Sequence, residues 1–283
     1  MDGEDGRRSG NVEDRRGMRI PGGLAGGGGI GVVVIALVVM FFRVDPRLIL
    51  PGAGQVGGGV QQPAAPPNPA QDQLEDFVPV VLADTEDTWG ELFAKSGSHY
   101  EQPKLVLFTG AVQSACGTAP SAVGPFYCPG DRRVYIDLDF YHLLADRFGA
   151  PGDSAQAYDI ADAVGHHVQN LLGISRKVQA ASQRSPGRAN QLSVRQQLQA
   201  DCLAGIWGHF ANRSRRVLQA GDIDQGLAAA AAIGDDRLQR QAQGQVSPET
   251  FTHGSSKQRV HWFKRGLDSG DVGACDTFKA QRP

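Results

Sequence analysis

Asp162 and His166 lie four residues apart, so on a helix they face the same way. A carboxylate and an imidazole one turn apart can grip a cation from one face. Asp159 stands three residues before Asp162 and seven before His166, and extends that face. Two unpaired carboxylates would be costly to bury, so the face is either solvated or meets a cation or a basic side chain. Hydrolysis at a metal also needs a side chain that takes a proton from the bound water. The residue directly after Asp162 is Ala163, which has no acid–base group. His167 points about 100° away from His166 on a helix, which fits a hydrogen-bonded structural histidine.

Other reactive types carry less. His253, in FTHGSS, could reach a cleft and stabilise an oxyanion, or simply bond loop backbone. Ser255 and Ser256 lack the G-x-S-x-G elbow of a serine nucleophile. Cys202 beside Asp201 reads as a disulfide partner before it reads as a nucleophile. The formal net charge of -2 and the absence of a basic run with interleaved aromatics exclude nucleic acid as a partner.

These side chains need helices to hold them. Asp153 can cap a helix with Ile160, Ala161, Val164, Val168, Leu171 and Leu172 on one side, and Gly173 is placed to end it. Val194 to Phe210 forms another, with Leu198, Cys202, Gly205 and Ile206 toward a core. Asp84 can cap a helix from Thr85 to Ala94, residues 139–148 return to helix, and the alanines of Leu227 to Ile233 continue the helical content. Lys104 to Phe108 and Arg133 to Leu138 read as strands, the second after a turn at Pro129-Gly130-Asp131. Strands followed mostly by helices predict an α+β domain.

The chain before Leu74 has a different composition. No charged residue occurs from Gly22 to Phe42, and IGVVVIALVVMFF is almost wholly apolar. That length suits one bilayer crossing by a helix. Arginines 7, 8, 15, 16 and 19 precede the run, which places the amino terminus in the cytoplasm. No small-residue cleavage site follows, so the run reads as a retained signal-anchor. The expected organisation is a cytoplasmic tail over residues 1–20, a transmembrane helix over 21–43, a Gly/Pro/Gln-rich linker over 44–73 and a folded domain over 74–283. The protein is thus expected in a bacterial inner or cell membrane, single-pass, with the carboxy-terminal domain outside the cytoplasm. Cys116, Cys128, Cys202 and Cys275 all follow the apolar run, an even count that suggests two disulfides in an oxidising compartment. Cys116 with Cys128 would close a short loop and Cys202 with Cys275 would tie a helix to the tail; three pairings remain open.

Several stretches together resemble a known family. PKLVLFTGAVQSACGTAPSAVGPFYCPGD, VYIDLDF, VGHHVQNLLG, LQADCLAGIW, AAAIGDDRLQ, FTHGSSKQRVHWFKRG and CDTF occur in the order found in the bacterial neutral zinc metallopeptidase family, single-anchor proteins with a zincin-like domain. The resemblance covers essentially the whole chain. It implies that the active helix would read HEVGHHVQ, where this sequence reads DAVGHHVQ, and that the second helix would read ELQADC, where this one reads QLQADC. By that resemblance Asp162 and Gln197 occupy ligand positions, His166 is the one ligand retained, Ala163 occupies the general-base position, and Asp201 would orient a ligand histidine. Gln197 is neutral and a poor zinc ligand, so the site suits a weakly held hard cation better than zinc. The reading is a catalytically inactive homologue with no bound zinc, retaining a groove for a polypeptide or envelope-protein partner. The alternative is an active metal-dependent peptidase with a rearranged site, drawing its third ligand from His253 or Asp159.

Overall fold

The computed structural model describes residues 6–16, 69–120, 124–138, 153–213 and 221–281. The proposed anchor at 21–43 and the expected helix at 139–148 lie outside the described residues. The first strand is followed by a long helix, then by the other strands and the remaining helices, an α+β architecture consistent with a zincin-like domain. Strands β1 (Val12–Asp14), β2 (Lys104–Phe108), β6 (Arg133–Asp137) and β5 (Phe126–Cys128) form one mixed sheet in the order β1-β2-β6-β5. β1 and β6 both run parallel to β2, and β5 runs antiparallel to β6. β2 and β6 are buried beyond their first residues, which is why KLVLF and RVYID read as nearly unbroken apolar runs. β3 (Ala111–Ser114) and β4 (Gly117–Pro120) make a separate hairpin. The sequence pattern did not reveal β3, β4 and β5, because each is four residues or shorter, too short to show an alternation.

Helix α1 spans Pro69–Lys95, well before the start at Thr85 that the sequence suggests. Asp84 is not its cap: it is buried mid-helix, where its Oδ1 accepts a 2.6 Å hydrogen bond from the Trp207 indole. The folded part therefore begins earlier than Leu74. It also reaches back to residues 6–16, which the sequence groups with a separate tail, since β1 sits on the edge of the sheet. Helices α2 (Asp153–Leu171), α3 (Ile174–Arg184), α4 (Ala189–Arg213), α5 (Asp222–Ala232), α6 (Asp235–Gln243) and α7 (Ser256–Ser269) complete the domain. Among the described residues, no helix is long and apolar enough to cross a membrane.

The centre of the helical layer is α4, with α2 on one side and α7 on the other. Ile160, Ala161, Val164 and Val168 of α2 share the main core with Leu198, Cys202 and Ile206 of α4 and Trp262 and Phe263 of α7. Glycines set how near these helices come. A Cβ on Gly205 would stand 2.0 Å from the Phe263 carbonyl oxygen, and one on Gly266 would stand 1.9 Å from that of Cys202. α4 and α7 thus touch backbone to backbone from both sides. Gly165 gives α2 the same access to α4, where a Cβ would lie 2.8 Å from the Ala200 oxygen. Disulfides Cys116–Cys128 and Cys202–Cys275 are both formed, the first stapling the hairpin to β5 and the second tying α4 to the segment after α7.

Candidate functional site

α2 and α4 bring the ligand-position residues together. Asp162 and His166 project from α2 toward Gln197 on α4. The Gln197 amide spans the gap between them: its Nε2 donates to Asp162 Oδ1 at 2.8 Å, and its Oε1 lies 3.1 Å from His166 Nε2. The other ring nitrogen, Nδ1, lies 3.0 Å from Gln169 Oε1. Gln169 is held in that orientation because its Nε2 donates to Gln196 O and Gln199 Oε1. Both imidazole nitrogens therefore face amide oxygens, and the one that carries the ring proton donates there. A nitrogen that donates has no lone pair to give a metal.

Zinc, which the resemblance implies, does not fit this donor set. It would receive one imidazole, one short carboxylate and one neutral amide, and these three side chains already satisfy one another. Among the described residues, no group of three or more His, Cys, Asp and Glu could hold a metal. Ala163 is buried in the main core and offers no base.

The acid face continues inward. Asp159 and Asp201 are buried, and the basic side chain that meets this face is Arg259 of α7. Arg259 Nη2 and Nε donate to Asp201 Oδ1 and Oδ2 at 2.9 and 3.1 Å, a two-point ion pair out of water. Nη2 also donates to the Tyr158 hydroxyl at 3.0 Å, Nη1 donates to Ile233 O at 3.2 Å, and Tyr158 in turn donates to Asp201. Asp162 Oδ1 stands 3.8 Å from Nη2. Burial pulls the Arg259 guanidinium down; Asp201, Tyr158 and Asp162 outweigh it and raise it well above its usual value. Burial raises the Asp201 carboxyl, and Arg259 opposes the rise. Asp159 is pushed well above the usual carboxylate range, by burial first and by Asp162 next, with Arg259 opposing. Its Oδ2 finds no hydrogen-bond partner. Of this face Asp159 is buried, whereas His166 and Asp162 keep 23% and 17% of their side chains exposed.

Asp201 has other partners than the one the resemblance assigns it. It holds Tyr158 and Arg259, and among the described residues no hydrogen bond joins it to His166. Arg259 escaped the sequence reading, yet a signal was present. Arg259, Trp262, Phe263 and Gly266 recur at three- and four-residue spacing and are all buried, and an arginine within such an apolar stripe calls for a buried acid.

His253 is not brought to Asp162, His166 and Gln197 by any hydrogen bond among the described residues. Its ring lies 3.4 Å from Asp235 and 2.9 Å from the Thr252 hydroxyl, and its side chain is 56% exposed. Asp235 Oδ2 accepts the amides of Thr252, His253 and Gly254, so the acid organises this loop. Ser255 caps α7 through a capping box with Gln258, which accounts for that serine without chemistry. His167 has the structural role expected of it. Its Nε2 donates to Glu101 O at 2.6 Å, its Nδ1 accepts from the Tyr127 hydroxyl at 3.0 Å, and burial favours the neutral ring. Tyr127 is itself pushed up to about 12 by burial, so it stays a donor. Cys202 is in a disulfide.

Comparison with known proteins agrees with the fold and the ordered motifs. The chain belongs to the family described as "Putative neutral zinc metallopeptidase", whose sequence model matches residues 1–278. It is 48% identical over 284 residues to the uncharacterized protein YpfJ of Escherichia coli (strain K12), covering 96% of each chain. It is 46% identical over 191 residues to the uncharacterized proteins Mb2605 of Mycobacterium bovis and Rv2575 of Mycobacterium tuberculosis, covering 64% of each chain. No solved structure matches.

Proposed function

We propose that this chain is a family member that does not hydrolyse peptides at zinc. It would work instead by holding a polypeptide or envelope-protein partner. The observation that carries the reading is the Gln197 amide, which joins His166 to Asp162 where an ion would need both. Ala163 supports it, since loss of a general base alone costs about 100- to 10,000-fold in rate. The apolar run at residues 22–42 would keep the protein at a bacterial membrane. Two disulfides fit a domain held in an oxidising compartment outside the cytoplasm.

The test is zinc titration of the purified full-length chain by calorimetry at neutral pH, with cleavage of an unfolded protein measured in parallel. Neither a stoichiometric zinc nor chelator-sensitive cleavage is expected. Tight zinc lost in His166→Ala would overturn the reading and favour a rearranged metal site.

A further inference from the structure

The outer edge of β2 and the acid Glu86 of α1 together form a strand-receiving site, and residues 6–16 fill it. The side-chain contacts alternate. Arg7, Ser9 and Asn11, spaced by two as on one face of a strand, all reach Glu86. Arg7 Nη2 donates to Oε2 at 3.0 Å, and Ser9 Oγ and Asn11 Nδ2 donate to Oε1 at 2.6 and 2.8 Å. The Glu86 side chain is 1% exposed. Among the described residues, every side-chain hydrogen bond to it comes from this segment. The backbone adds its own ladder: Ser9 N donates to Pro79 O at 3.0 Å, Leu105 N to Asn11 O at 2.9 Å, and Arg15 N to Leu107 O at 2.8 Å. Gly6 passes so near α1 that a Cβ would stand 2.5 Å from Val80 Cγ1. Glu13 meets Arg133 and Lys104 at 3.3 and 3.5 Å and fixes the register. A buried acid fully supplied by three alternating donors is a built site, more than a sheet edge that happens to be covered.

We infer that the chain's own residues 6–16 are the partner of this site, and that they share one compartment with the disulfide-bonded domain. A single membrane crossing between residue 16 and residue 69 would part the strand from its site. The inference is independent of whether the Gln197 site binds zinc.

The experiment uses the full-length chain in bacterial cells. Gly10 is exposed with nothing within 4 Å of an added Cβ, and Ser98 is exposed on the domain. Among the described residues there are no free cysteines, so Gly10→Cys and Ser98→Cys, made separately, report their own positions to a membrane-impermeant maleimide. The two are expected to behave alike in spheroplasts, both labelled or both labelled only after permeabilisation. One labelled and the other protected overturns the inference. Docking is read separately by hydrogen exchange on the purified chain. The Arg15 amide should be protected in the monomer, and Glu86→Gln should speed its exchange about tenfold or more. Exchange at the rate of an unfolded chain, or protection confined to a dimer, overturns the assignment of the chain's own strand.

Discussion

Two buried carboxylates are satisfied in different ways. Asp201 is held from within: Tyr158 and Arg259 come from helices packed on α4, and α7 lies against α4 across reciprocal glycines. Glu86 is held from outside, by a segment that reaches the domain through β1 and through residues 6–11 against α1. Both acids are dry and both are met by an arginine. The difference is what each arginine is fastened to. Arg259 cannot leave without opening α4 from α7, whereas Arg7 can leave with its strand and keep the helices intact.

The hardest break is at Arg259. Arg259→Ala would strand Asp201 in the core, and loss of about 3–5 kcal/mol in denaturant unfolding is expected. Next comes the Cys202–Cys275 bridge, which spans 73 residues and is worth about 4 kcal/mol, against about 3 kcal/mol for Cys116–Cys128, which spans 12. Paired Cys→Ser variants compared by thermal melting should keep that order. Glu86→Gln should cost about 1–3 kcal/mol, with exchange rising at residues 9–15 and not in α4. Equal loosening of α4 would erase the distinction between the two acids.

The least perturbing change is Asp159→Asn. Asp159 is raised in the folded protein, so its contribution is full below the unfolded value of about 3.9 and is lost as pH rises through the raised value. The variant should match the wild type near pH 4 and gain on it in unfolding midpoint toward neutral pH. A constant difference across that range would mean Asp159 does not titrate with folding.

The helices that carry the site were legible because they repeat apolar residues at helical spacing, as in Ile160, Val164 and Val168. Asp162 and His166 were also legible by type and spacing, and Gln197 only through the family resemblance. What the sequence hid was partnership at a distance. The Gln197 bridge depends on an amide rotamer, and Arg259 meets Asp201 from 58 residues away. β1 was hidden for another reason: a three-residue polar strand has no alternation to read, and its pattern becomes visible only beside Glu86.

β1 also sets an order of events during synthesis. Asn11 bonds Gln102, which is made 91 residues later. At ~5–20 residues per second, the amino terminus waits on the order of 5–20 s after leaving the ribosome before its place on the sheet exists. The apolar run from residue 22 to residue 42 emerges within that interval. The first segment made thus cannot be seated until the strand that receives it has been made.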